Sequence, residues 1–196
     1  EVINLKYTTL GQTNIKVSKV CLGCMSFGKA GTMHDWTLDE KQTEEMVKHA
    51  LDLGINFFDT ANTYSNGTSE EYLGKALKNL NVKREDVVIA SKVYFNEGRL
   101  SKEAIFREID STLKRLQTDY LDLYIIHHFD YDTPMKETME ALNELVNVEK
   151  YEQLVLLQCM DINFITCKSL LGTIIGLLFQ LWKIITTYFI VKMKKN

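Results

Sequence analysis

The stretch Ile55-Asn56-Phe57-Phe58-Asp59-Thr60-Ala61-Asn62-Thr63-Tyr64 decides how this chain folds. Gly54 stands just before it, where a helix ends and a left-handed residue is wanted. Ile55 to Phe58 is a short apolar run of the length of a buried strand. Asp59 falls where that run stops, and Tyr64 follows in a polar loop. A carboxylate at a strand end with a phenol just beyond it is a natural start for an acid/base site.

Working outward, the same alternation recurs. Upstream, Thr37-Leu38-Asp39-Glu40 has the form of a capping box, and Met46, Val47, Ala50, Leu51 and Leu53 give a helical stripe. Downstream, Ser69 is placed to cap a helix carrying Tyr72, Leu73, Ala76, Leu77 and Leu80. Val87 to Ala90 reads as the next strand, ending at Ser91-Lys92. Ser101 is placed to cap a helix with Ile105, Phe106, Ile109, Leu113 and Leu116. Leu121 to Ile126 is a further strand, ending at His127-His128. Thr133-Pro134 opens a helix with Met135, Met139, Leu142, Leu145 and Val146 on one stripe. At the start, Tyr7 to Leu10 and Ile15 to Val17 flank a turn at Gly11-Gln12-Thr13-Asn14, which predicts a hairpin. Val20 to Gly23 then reads as a strand.

The strand ends fall near 23, 59, 92 and 127, at intervals of 36, 33 and 35 residues. This is a run of strand–helix units, and the continuous apolar strands predict a parallel sheet covered on both faces. A doubly wound sheet or a (β/α)8 barrel satisfies that pattern. No G-x-G-x-x-G follows the first strand, which counts against a dinucleotide-binding doubly wound fold. A full barrel takes about 250 residues. On the barrel reading the chain is an α/β fold with room for about half a barrel, the N-terminal hairpin and first four βα units of a truncated (β/α)8 TIM barrel.

Composition narrows the function classes. The chain has 196 residues, 45% of them hydrophobic and 25% charged, and a net charge of −3. No basic excess points to nucleic acid. No secretory signal pattern opens the chain, and a cytoplasmic location is expected. Cys21-Leu22-Gly23-Cys24 has the C-x-x-C form, but nothing completes a zinc set, and Cys21 inside an apolar run reads as a small buried hydrophobe. No metal site is expected.

In a parallel α/β fold the site lies beyond the carboxyl ends of the strands. That rule selects Asp59, Lys92 and His127, with Tyr64 joining from the loop. The chemistry coheres. A lysine ammonium favours a neighbouring phenolate, an aspartate keeps the lysine charged, and a histidine can direct a carbonyl by hydrogen bonding. His128 is an alternative to His127, because both strand faces are buried and parity does not choose.

The motifs resemble those of the aldo-keto reductases. The matching pieces are L-G-x-x-x-x-x-V-S at 10–18, C-L-G-C-M-S-F-G at 21–28, F-D-T-A-N-x-Y at 58–64, I-A-S-K at 89–92 and L-D-L-Y-I-I-H at 121–127. The Met-Ser-Phe-Gly version is similar to the aryl-alcohol dehydrogenase and channel β-subunit branch. The resemblance covers about residues 5–146. It implies a catalytic tetrad of Asp59, Tyr64, Lys92 and His127, with Tyr64 as general acid and hydride from NADP(H). It also implies that Gly23, Met25 and Asp59 approach the cofactor, and that a small aldehyde, ketone or alcohol is the substrate. A regulatory NADPH-binding subunit without turnover is the alternative.

After Leu145-Val146 the pattern stops, and two domains are expected, 1–147 and 148–196. Residues 151–196 turn Leu/Ile-rich and carry five lysines against two acids. Leu170 to Val191 is long enough to cross a bilayer, but Lys183 near its middle makes a poor span, which would tether an inactive fragment. The preferred reading is a non-native tail from a shifted reading frame. Shifted codons under 148–164 permit a G-K-V-R-A-I-G-A-S run like the family's next strand and turn. The resemblance places much of the cofactor grip in the family's second half, so weak NADPH binding and little activity are expected of the chain as written.

Overall fold

The computed structural model describes residues 5–10 and 13–147. The division at 147/148, the frame-shifted tail and the 170–191 span fall outside the described residues. Among the described residues no helix is long and apolar enough to cross a membrane.

Strands β1 (Tyr7–Thr9) and β2 (Lys16–Ser18) form the expected antiparallel hairpin. Four units then follow in order: β3 (Leu22–Gly23), α1 (Glu40–Asp52), β4 (Phe57–Asp59), α2 (Thr68–Asn79), β5 (Val88–Val93), α3 (Lys102–Leu116), β6 (Leu123–Ile126) and α4 (Met135–Asn147). The sheet is parallel throughout, in the order β3-β4-β5-β6, and each helix packs on the next one in sequence. Consecutive neighbours with a single direction of travel are the arrangement of one half of a (β/α)8 barrel.

Two apolar layers sandwich the sheet. Ile89, Val93, Tyr124 and Ile126 face the helices, among Leu73, Leu77, Ile105 and Ile109. Val88, Ala90, Leu123 and Ile125 face the other way, onto Leu10 and Val17 of the hairpin. This alternation assigns every residue at the strand ends to a side. Lys92 continues the inner column of Val88 and Ala90, whereas Ser91 continues the helix-facing column.

Several local expectations need correcting. The box that caps α1 is Asp39 with Gln42, not Thr37 with Glu40: Asp39 Oδ1 accepts from the Gln42 amide, and Gln42 Oε1 accepts from the Asp39 amide. The cause is a bridge between Phe27 and Leu38, whose Leu38 amide donates to the Ser26 carbonyl. That bridge keeps residues 37–38 extended, so the helix starts beyond them. Ser69 does not cap α2; it lies in the first turn, and its hydroxyl donates to the Cys24 carbonyl at 2.7 Å. Lys92 lies within β5 rather than beyond it. Pro134 sits one residue ahead of α4, its carbonyl accepting the Glu137 amide. Cys24 is the fully buried cysteine, Cys21 is only half-buried, and neither is in a disulfide. Ser101 caps α3 as expected.

Candidate active site

β4 delivers Asp59 at its last residue, paired with Gly23 of β3 on one side and Ala90 of β5 on the other. β5 delivers Lys92 on the inner face, where it is 6% exposed. The Lys92 ammonium donates to Asp59 Oδ1 at 2.8 Å, to the Thr60 carbonyl at 2.8 Å and to Tyr64 Oη at 3.2 Å. All three of its N–H bonds therefore have an acceptor. Burial pulls the Lys92 pKa down, but Asp59 and Tyr64 outweigh it and leave the group above its ordinary value. Lys92 is a cation at neutral pH.

Tyr64 opens a 3-10 turn, Tyr64–Gly67, in the loop between β4 and α2. Ser65, Asn66 and Gly67 have φ of 48°, 53° and 88°, three consecutive left-handed residues. Gly28, on the long first loop, packs directly on this turn: a Cβ there would lie 2.4 Å from Ser65 Cβ. The close approach, together with a φ of 128°, requires glycine at position 28.

His127 extends β6 by one residue, its amide donating to the Val93 carbonyl at 3.0 Å. It follows Leu123 and Ile125 in the inner column, on the side of Lys92. Its ring meets Tyr64 edge-on, with centroids 5.6 Å apart and planes at 84°. Phe95 covers it similarly at 5.1 Å. Burial, then the Lys92 and His128 charges, lower the His127 pKa to about 4. The ring is neutral at pH 7, and its Nδ1 is buried without a hydrogen-bond partner. His128 lies elsewhere: its Nδ1 pairs with the Phe129 carbonyl and its ring leans on Tyr94. The structure thus brings Asp59, Tyr64, Lys92 and His127 into one cluster and leaves His128 beside it.

Of the expected cofactor-facing residues, Gly23 borders open space, because a Cβ there would meet nothing within 4 Å. Met25 is 42% exposed in the turn after β3. The Cys21 and Cys24 thiols are both held above their ordinary range, chiefly by burial, so neither presents a thiolate. Among the described residues, no group of three or more His, Cys, Asp or Glu is placed to hold a metal ion.

Sequence reasoning missed the backbone and hydroxyl groups behind the cluster. The Thr60 carbonyl holds Lys92, and the Thr60 hydroxyl lies 2.9 Å from Ser69 Oγ. Ser69 gives its own proton to the Cys24 carbonyl, so Thr60 is the donor between the two hydroxyls. The Asn62 amide donates to the Lys92 carbonyl at 3.1 Å, joining the tyrosine loop to β5.

The sequence pattern that defines the aldo/keto reductase family matches residues 19–148. This chain belongs to that family. Aldo-keto reductase AMT2 of Alternaria alternata is 38% identical over 76% of this chain and 48% of its own length. A Saccharomyces cerevisiae protein described as an aryl-alcohol dehydrogenase, AAD16, is 37% identical over 74% of this chain and 49% of its own. Among solved structures, the holo form of aldo-keto reductase AKR11C1 from Bacillus halodurans superposes with a TM-score of 0.69 at 34% identity, covering 84% of this chain and 54% of that one. The architecture is therefore that of the aldo-keto reductase TIM barrel, and the family is one of oxidoreductases. The chain spans about half the length of the curated relatives it matches.

Proposed function

We propose that this chain carries the catalytic cluster of an NADP-dependent oxidoreductase that interconverts aldehydes or ketones with alcohols. The observation that carries the reading is the single buried ammonium shared by Asp59 and Tyr64, with a neutral imidazole against the phenol. Aromatic carbonyls are the favoured substrate class, by likeness to the aryl-alcohol dehydrogenase relative.

The residues fit a nicotinamide cofactor. Open space at Gly23 adjoins Asp59, whose side chain is one-third exposed, at the same strand ends that hold the phenol. Gly23, Met25 and Asp59 are the residues that would approach it. When bound, that cofactor supplies the hydride. The protein's own groups do the rest. Tyr64 gives its Oη proton to the carbonyl oxygen. The negative charge left on Oη is met by the Lys92 ammonium 3.2 Å away. Asp59 compensates that ammonium and keeps it in place. His127, neutral at working pH, directs the carbonyl oxygen as a hydrogen-bond donor and does not compete as an acid.

The test is NADPH fluorescence titration of the purified 196-residue chain, followed by a reductase assay on benzaldehyde. Because the chain spans about half of its relatives, weak binding and slow turnover are expected. Tyr64→Phe should lower that turnover by roughly a thousandfold or more and leave NADPH binding intact. Turnover indifferent to Tyr64 would refute the assignment. NADPH binding without any turnover would favour a regulatory subunit instead.

A further inference from the structure

The tyrosine loop keeps a strained shape on few internal hydrogen bonds, among them Tyr64 to Ala61 and Asn66 to Thr63. Three successive left-handed residues follow Tyr64, and for Ser65 and Asn66 that conformation costs on the order of 1 kcal/mol each. Gly28 and the Lys29 amide, which donates to Thr68 Oγ1, brace it from one side and leave the other to be held. The helix-facing side of the sheet supplies a candidate that the proposed chemistry leaves unused. Glu70, in the first turn of α2, is 0% exposed. Its Oε1 accepts from Ser91 Oγ at 2.5 Å and its Oε2 from Arg115 Nε at 2.6 Å. Ser91 immediately precedes Lys92 in β5. Arg115, near the end of α3, also donates to Thr112 and lies flat against Gly67, where a Cβ would come within 2.8 Å of Arg115 Cδ.

We propose that Glu70, gripped by Arg115 and Ser91, is a positioning residue that locks the Tyr64 loop to the Lys92 strand from behind the sheet. The connections run through covalent neighbours. Gly67 ends the loop that follows Asp59, and Glu70 stands three residues on, in the first turn of α2. Ser91 fixes the position of the next residue, Lys92, whose side chain emerges on the opposite face. Arg115 touches the α2 end of the loop at two points, Glu70 and Gly67, and reaches β5 only through the bond of Glu70 to Ser91. An apolar pair of similar volume would hold α2 on the sheet about as firmly. The charged pair adds direction, since a carboxylate bridging a hydroxyl and a guanidinium tolerates little sliding. Burial pushes the Glu70 carboxyl above its ordinary range, and Arg115, Ser91 and Thr112 oppose that push. The carboxylate thus depends on all three neighbours, and α2, which carries it, is held in register with β5 and α3, which carry them.

This inference rests on the reductase reading for its catalytic consequence, but not for its test. Amide hydrogen exchange is followed on the full 196-residue chain and on Glu70→Gln. The reporters are the amides of Asn62, Tyr64 and Asn66, which donate to the carbonyls of Lys92, Ala61 and Thr63. Exchange at these three should quicken about tenfold, with α1 unchanged. Arg115→Met should do the same, and Arg115→Lys should restore part of the protection. Ser91→Ala, which removes one bond and spares the ion pair, should quicken them about threefold and serves if the charge variants do not fold. Unchanged reporters, or an equal acceleration throughout α1, would overturn the proposal. In the reductase assay Glu70→Gln should lower kcat about tenfold or more at constant KM. A loss confined to KM would overturn it as well. A wild-type chain without turnover rejects the reductase reading and leaves the exchange result to decide the clamp.

Discussion

Gly74→Ala should destabilise the protein, against the usual trend for a helix. Gly74 sits in the middle of α2, where alanine is ordinarily preferred by about 1 kcal/mol. Propensity alone therefore predicts a stabler variant. The packing predicts the reverse. A Cβ on Gly74 would lie 2.4 Å from the Leu116 carbonyl oxygen, 2.6 Å from its carbon and 2.8 Å from Leu116 Cα, where ordinary contact begins at 3.4 Å. The obstacle is backbone at the end of α3, so no rotamer change relieves it. The two helices must part by roughly 1 Å over a fully buried contact. Overpacking of this kind costs about 1–3 kcal/mol, and a backbone obstacle belongs at the upper end. After the propensity gain, a net loss of about 2 kcal/mol remains. For a chain of this size that is a drop of roughly 4–8 °C in Tm. Urea unfolding followed by circular dichroism measures the same quantity as a shift of midpoint at constant slope. Because Leu116 adjoins Arg115, parting the helices also draws the guanidinium from Glu70. The variant should therefore lose protection at Asn62 and Tyr64 beyond its global loss. A Gly74→Ala protein as stable as the parent, or stabler, would refute the tight α2–α3 approach and the packing argument built on it.

Two further outcomes follow from the site and the caps. The His127 ring, followed by NMR, should titrate at about 4 rather than near its ordinary 6.5. Its folded value is depressed, so the unfolded chain takes up the proton first; stability should fall as pH drops from about 6.5 to about 4, and His127→Gln should flatten that slope. Asp39→Ala should cost about 1 kcal/mol in urea unfolding by removing the real cap of α1. Thr37→Ala should be close to neutral, because the Thr37 hydroxyl has no partner to lose; equal costs for the two would contradict the cap assignment.

The fold was legible because the period of the strand ends does not depend on detail. Continuous apolar strands, each about one helix apart, admit few arrangements, and the missing G-x-G-x-x-G counted against the doubly wound one. The site was legible for a related reason: a parallel sheet sends its chemistry to one edge, so Asp59 and Lys92 announced themselves by position. Other features depend on contacts between residues far apart in sequence. Thr37 and Asp39 begin overlapping capping patterns, and only the Phe27–Leu38 bridge selects between them. His127 and His128 follow a strand buried on both faces, so the choice required the inner column of Leu123 and Ile125. Glu70 resembles any acidic residue in a first helical turn until Arg115 is found opposite it. The left-handed run after Tyr64 was hinted at only by the Asn66-Gly67 pair, a turn signal that also fits many ordinary loops.

The reason that position 92 needs lysine, and not merely a cation, lies in the geometry of its three acceptors. Asp59 Oδ1, the Thr60 carbonyl and Tyr64 Oη converge on one nitrogen at 2.8, 2.8 and 3.2 Å. An ammonium has three N–H bonds diverging from one atom, which suits convergent acceptors. A guanidinium spreads its donors in a plane and suits acceptors lying side by side. Lys92→Arg keeps the charge but cannot satisfy all three partners, and its larger head group must enter a site that is 6% exposed. The cost to stability should be about 1–3 kcal/mol from overpacking. The cost to any turnover should be larger, because Tyr64 sits farthest from the nitrogen and is the partner displaced first. Replacing the ammonium by a poorly aimed cation leaves much of the attraction between unit charges, about 5 kcal/mol at this separation with an effective dielectric constant near 20, but loses the hydrogen bond. Lys92→Arg should therefore retain a neutral His127 and a folded sheet while turnover falls by roughly a hundredfold or more. A variant that keeps full turnover would mean that the ammonium serves only to neutralise Asp59, and that Tyr64 draws nothing from its direction.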